Sequence, residues 1–149
     1  MISMTFYIPS SLKSVTVTGG NILYGAFYNC SSLTSITIPD SVTSIGKYAF
    51  YECSGLTSVT IPNSVTSIGA WAFSGCSGLK TVFYAGTEEQ WKAISIGSDN
   101  SRLTSATRYY YSVTEPALNS DGTGYDGNYW HYDTDGKTIV IWKKANEEE

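Results

Sequence analysis

Apolar residues recur along this chain at a fixed interval. Leu33, Ile36, Ile38, Val42, Ile45, Tyr48, Ala49, Phe50 and Cys53 are followed 23 residues later by Leu56, Val59, Ile61, Val65, Ile68, Trp71, Ala72, Phe73 and Cys76. The residues between them repeat as well, so that LTSITIPDSVTSIGKYAFYECSG is rewritten as LTSVTIPNSVTSIGAWAFSGCSG. A period of this length marks a solenoid, because a single unit cannot cover its own apolar face and stacked units cover one another. Within the unit, Val59 and Ile61 alternate with Ser58 and Thr60, which is strand spacing in β-branched residues. Pro62 ends that strand, having no N–H for a ladder. Val65 to Ile68 reads as a second short extended run, Gly69 as a turn, and Ala72-Phe73 with Cys76 as a compact helical or 3₁₀ turn on the far side.

The same pattern extends in both directions, with changes. Phe6, Ile8 and Pro9 align with Ile36, Ile38 and Pro39, Leu12 and Val15 with Val42 and Ile45, and Phe27 and Cys30 with Phe50 and Cys53. The first unit then carries seven extra residues, Thr16 to Ile22, with a β-like alternation around Val15 and Val17 and a turn at Gly19-Gly20-Asn21. Ser3 stands where Leu33 is expected, and nothing polar caps this rung. An uncovered strand invites pairing, so a homodimer through the first rung is an expectation. Leu79, Val82 and Tyr84 keep the strand positions of the repeat, after which Thr87-Glu-Glu-Gln90 forms a capping box that opens a short helix. That helix places Trp91 and Ile94 over the end of the apolar stack. Residues 95–105 read as irregular, and Ala106 to Ser112 as one more strand.

The domain reading is a solenoid over 1–112, divided into a long repeat at 3–32, repeats at 33–55 and 56–78, and a terminal capping repeat at 79–112. A linker at 113–127, rich in Gly, Asn and Asp, leads to a β-hairpin and tail at 128–149. Asn128 to Tyr132 is one strand, Asp133 to Gly136 the turn and Lys137 to Trp142 the other, with Trp130, Tyr132, Val140 and Trp142 taken to share a face. A lone hairpin is marginal in water and needs a partner surface.

Charge enters the picture mainly by exclusion. Residues 1–86 hold three Lys and two acidic residues, and residues 87–149 hold six basic and eleven acidic ones, for a net charge of −4. No basic stripe exists for nucleic acid, and no apolar run approaches the ~20 residues of a membrane span. The opening MISMTFYIPSSL has no basic region followed by an apolar one, so it does not read as a signal peptide; since it begins within a repeat, a fragment of a longer protein is expected.

Candidate chemistry is thin. Cys30, Cys53 and Cys76 fall 23 residues apart, which suits stacked apolar fillers and gives none of the CxxC-like pairs of redox or zinc sites. His131 is the sole histidine and has no nucleophile motif to serve. Asp121, Asp126, Asp133 and Asp135 supply hard oxygen ligands, but not at EF-hand spacing, and Asp is an ordinary turn residue. Glu88 and Glu89 fit the first turn of a helix better than a glycosidase pair. No catalytic residue, metal site or cofactor is assigned. The strand face is the stronger candidate. Between the inward residues, Thr5, Tyr7, Ser35, Thr37, Ser58, Thr60, Thr81 and Phe83 form an outward hydroxyl ladder with aromatics at its ends. Tyr7, Ser35, Thr37, Ser58, Thr60, Thr81 and Phe83 are therefore the candidate partner-binding residues. Trp130, Tyr132 and Trp142 are an alternative aromatic platform for a glycan.

The residues Leu33, Ile36, Ile38, Pro39, Val42, Ile45, Gly46, Ala49, Phe50 and Cys53, with their copies, resemble the BspA-type leucine-rich repeat of bacterial surface proteins, over roughly residues 3 to 112. The resemblance implies a right-handed coil stack with strands on one side and an association with surface adhesion. Periodicity and resemblance together point to an α/β solenoid, mostly β with short helical or 3₁₀ turns, ending in a β-hairpin. The expected role is a non-enzymatic interaction module of a cell-surface or secreted protein, binding a host or neighbouring-cell protein.

Overall fold

The computed structural model describes residues 10–144, and within them the chain coils as the period demands. Strands β1 (Ser35–Thr37), β3 (Ser58–Pro62), β5 (Thr81–Ala85) and β7 (Thr107–Tyr111) pair in parallel along one side. Strands β2 (Ser44–Ile45), β4 (Ser67–Ile68) and β6 (Ser95–Ile96) form a second, narrower parallel sheet. Helix α1 (Glu88–Lys92) and helix α2 (Ser101–Thr104) belong to the last coil. The register is that of the repeat: Ile36 faces Val59, Val59 faces Val82, and Ile45 faces Ile68. Expectations that fall on residues 1–9, including Thr5, Tyr7 and the first-rung dimer, lie outside the described residues, as do the last five residues of the tail.

Like-numbered side chains form continuous columns inside. Phe27, Phe50 and Phe73 stack with ring centroids 5.3 and 5.0 Å apart and planes within 20° of parallel. Cys30, Cys53 and Cys76 are free and fully buried. Their thiols do more than fill space. Cys53 Sγ donates to Phe27 O at 3.1 Å and Cys76 Sγ to Phe50 O at 3.0 Å, each reaching the coil before. Burial pushes the Cys53 and Cys76 thiols up to about 12. The many Ser and Thr residues have a similar use: Thr57, Ser64 and Thr66 hydroxyls donate to the carbonyls of Thr34, Val42 and Thr43 one coil earlier.

Away from the sheets the chain turns tightly. Ala72, Cys76 and Leu79 donate backbone bonds three residues back, to Gly69, Phe73 and Cys76, but these turns never join into a helix. Left-handed residues interrupt them, at Gly25, Tyr48 and Trp71 in one column and at Asn29, Glu52 and Gly75 in another. Gly46, Gly69 and Gly97 form a third column, where a Cβ would press into the backbone of the preceding coil.

In the first unit the alignment of Val15 with Ile45 is corrected. Ile22 bridges Ile45 in parallel, Ile22 N–H donates to Ser44 O, and Gly46 N–H donates to Ile22 O. The extra residues therefore precede Ile22, and the stretch holding Val15 and Val17 makes no strand, although both side chains pack on the core. Alternation alone does not make a strand, and the ladder to β2 is taken by Ile22.

Two asparagines close the backbone ladders. Asn21 Oδ1 accepts from Thr43 N–H, Thr43 Oγ1 and Ser44 N–H at the first-coil side. At the other end the ladder Phe27 N–H to Ala49 O and Phe50 N–H to Ala72 O would leave Phe73 N–H without a partner. Asn100, only 3 % exposed, supplies it: its Oδ1 accepts from Phe73 N–H at 2.9 Å, and its Nδ2 donates to Gly69 O and Gly97 O. Residues 95–105, read as irregular, thus contain β6, α2 and this plug. Nearby, Trp91 is buried edge-on against Tyr84, as expected of a cover, and α1 has the full Thr87–Gln90 capping box. Arg108 occupies the inward column after Val82 and lays its guanidinium 4.5 Å over Trp91, so the core ends in a charge. The hairpin does not hang free. Its first strand β8 (Tyr129–Tyr132) pairs parallel to β7, and β9 (Ile139–Ile141) returns antiparallel, extending the main sheet.

Two outcomes follow. Asn100→Leu strands Phe73 N–H in the interior, and at ~1–3 kcal/mol for an unmet buried group the loss is of that size in a denaturant titration. Asn100→Asp does not rescue it, since the carboxylate lacks donors for the carbonyls. Thiol reagents at pH 8 modify Cys53 and Cys76 no faster than the protein unfolds, as mass spectrometry of timed quenches will read.

Candidate functional site

The outer surface of the main sheet is less open than its alternation suggests. Ser35 and Thr37 are exposed, and Ser58, Thr81 and Phe83 half-buried, but Thr60 is only 5 % exposed. The expectation that Thr60 belongs to an accessible ladder is therefore corrected. Its neighbour Phe83 in the next strand carries the docked hairpin. Trp130 lies on the outer face, fully buried, its Nε1 donating to Tyr84 O at 2.9 Å and its ring packed on Phe83, Tyr111 and Tyr132. Burial, and after it the charge of Asp40, raises the Tyr132 phenol. What stays open is the margin formed by Ser35, Thr37, Ser58 and Thr81, hydroxylic and uncharged.

The same packing removes the expected aromatic platform. Trp130 pairs with Ile141, and Tyr132 with Ile139, so they share one face with those residues. His131 pairs with Val140 on the opposite face, where Trp142 also lies, its ring 4.5 Å from the His131 ring and its Nε1 donating to Ser112 O at 2.7 Å. Trp130, Tyr132, Val140 and Trp142 do not share a face: the period of two holds along each strand, and only the register across the turn decides which strands' sets coincide.

An aromatic cluster emerges on the turn side. Tyr48 and Trp71 recur with the apolar positions of the repeat, but at φ values of 59° and 64° their side chains swing outward. Trp71 stacks on Tyr48 at 6.1 Å, Tyr48 meets Tyr51 edge-on at 5.3 Å, and Tyr51 stacks on Tyr28 at 4.9 Å. Tyr24 joins at 5.5 Å from Tyr48. Tyr24 is 71 % exposed, Tyr28 50 % and Trp71 37 %. The left-handed region is a costly place for a bulky side chain, about 1–2 kcal/mol each, and glycine holds the equivalent position at Gly25. The sequence did carry a signal: YGAFYN, KYAFYE and AWAFSG place a Gly in register with Tyr48 and Trp71.

The remaining chemistry is quiet. His131 Nδ1 lies 2.9 Å from Tyr132 O and its ring packs on Trp142, neither of which is a nucleophile. Glu88 pairs with Lys92 along the exposed side of α1, one turn apart, and Glu89 sits beside it in the first turn. Asp121 accepts from Thr123 and Asp135 from Thr138, bonds that hold their carboxyls below the usual range and close the turns. Among the described residues no three His, Cys, Asp or Glu side chains converge on a metal position, and no helix is long and apolar enough to cross a membrane.

With the geometry in place, the comparisons are specific. Residues 2–107 match the model of the BspA type leucine rich repeat region, in six copies. A crystal structure of a leucine rich cell surface protein from Faecalibacterium prausnitzii A2-165 is similar, at 43 % identity and a TM-score of 0.50 over half of this chain. That match spans 20 % of the other protein's length. No curated protein matches. A family model that covers residues 2–107, over a fold built from the same 23-residue coils, makes this chain a member of the BspA-type leucine-rich repeat family.

Proposed function

We propose that this chain is a non-enzymatic, protein-binding module of a bacterial cell-surface protein, contacting a protein of a host or of a neighbouring cell. The family and the cell-surface relative support the setting. One observation supports the role: the solenoid keeps Tyr24, Tyr28, Tyr48, Tyr51 and Trp71 together at its turn side, two of them in strained backbone that a glycine would relieve. Tyr and Trp are the residues that carry protein interfaces, and strain retained at exposed positions points to use rather than to folding. The rings meet face to face and edge to face, an uneven surface that suits a protein better than the flat face of a sugar.

The open margin of the strand face supports a second contact area, since Ser35, Thr37, Ser58 and Thr81 offer a flat, uncharged row of hydroxyls. An extended partner segment fits such a row by hydrogen bonding.

Binding to immobilised collagen, laminin and fibronectin, read by surface plasmon resonance, separates the two areas. Tyr28→Ser with Trp71→Gly weakens binding about thirtyfold or more, the loss of an aromatic anchor worth ~2 kcal/mol, while the thermal transition does not fall. Thr37→Lys, on the opposite side, weakens binding only if the strand margin takes part. Binding that survives all three substitutions removes both surfaces from the account.

A further inference from the structure

The outer row of the main sheet runs from Thr37 through Thr60 and Phe83 to Tyr109. The pairing of Tyr110 with Tyr129 sets Asn128 beside Tyr109 in that row, and the pairing of Trp130 with Ile141 sets Lys143 beyond it. Here, at the foot of the hairpin, the surface opens into a cleft of about 230 Å³. Tyr109, Tyr125, Asn128, Trp142 and Lys143 line it.

The lining is mixed in a definite way. Phe83 stacks on one side of the Tyr109 ring at 5.6 Å, and the cleft lies on the Asn128 side. Tyr125 and Trp142 stand nearly perpendicular, at 82°, and make a corner of two aromatic walls. The Asn128 carboxamide, the Lys143 ammonium and the Tyr109 hydroxyl have no hydrogen-bond partner among the described residues. Charge narrows the ligand from both sides. Lys143 on the wall disfavours a cation. On the other side, the Tyr125 hydroxyl donates to Glu115 Oε1 at 3.1 Å, which sets a carboxylate beside the aromatic wall and disfavours an anion. The volume is below the ~300–1,000 Å³ of clefts that enclose drug-sized molecules, so it takes one ring and leaves the rest of a ligand in water.

We propose that this cleft binds one neutral pyranose unit of a glycan, its C–H face against the aromatic wall and its hydroxyls bonded to Asn128 and Lys143. Trp130 and Tyr132 take no part, being committed to the hairpin's docking. The assignment is independent of the protein-binding surfaces, which lie on other coils.

Saturation-transfer NMR with the methyl glycosides of glucose, galactose, mannose and N-acetylglucosamine, each at millimolar concentration, tests it on the whole chain. At least one glycoside should receive saturation at its ring protons, with amide shifts at Asn128 and Lys143 in the protein spectrum. Asn128→Ala should weaken that binding fivefold or more with an unchanged thermal transition. Tyr109→Phe, which keeps the stack on Phe83, should retain it, and Tyr109→Ala should lose it. No transfer from any of the four glycosides overturns the proposal, and so does binding that survives both Asn128→Ala and Tyr109→Ala.

Discussion

Everything in this molecule depends on one constraint: successive coils sit on each other in register, so each backbone group and each inward side chain meets its counterpart one period away. The parallel ladders, the Phe27–Phe50–Phe73 stack and the thiol bonds from Cys53 and Cys76 are all consequences of that single displacement. Rungs in a parallel stack lie about 4.8 Å apart, and the inward Leu, Ile, Val, Phe and Cys columns pack at that spacing. Gly46, Gly69 and Gly97 mark one column where the coils come close. A solenoid built this way has no closed core of its own. Each coil is stabilised by the next, and the ends become the vulnerable places.

The ends are accordingly where the sequence departs from its repeat. Asn21 and Asn100 supply side-chain amides in place of backbone partners for Thr43, Ser44 and Phe73, and Trp91 with Arg108 closes the apolar columns. The hairpin adds two strands to the edge of the main sheet and folds Trp130 onto its outer face. That docking also decides which surfaces remain for partners. It covers Phe83 beside Thr60, leaves the Ser35–Thr37 margin and the turn-side aromatics open, and creates the cleft beside Asn128.

Much of this was legible in the residues, for a definite reason. A repeat writes its register into the sequence, so the inward columns, the strand and turn positions and the capping box at Thr87 could be read directly. What could not be read were relations that the repeat does not encode. Which residue of the long first unit matches Ile45 depends on a bridge made only in three dimensions, at Ile22. Tyr48 and Trp71 look like core residues by hydrophobicity, and only a left-handed backbone turns them out. The faces of the hairpin depend on pairing across its turn, which composition does not specify. Asn100 is a single polar residue in a stretch without periodicity, and its role exists only because the coil before it leaves Phe73 N–H unpaired.

The in-register stack has one most direct observable. In a sample labelled selectively at phenylalanine rings, cross-relaxation should link Phe27 with Phe50 and Phe50 with Phe73, with no direct transfer between Phe27 and Phe73. Absence of the two neighbour contacts, or a direct Phe27–Phe73 contact, would contradict the stacking of successive coils on which the account rests.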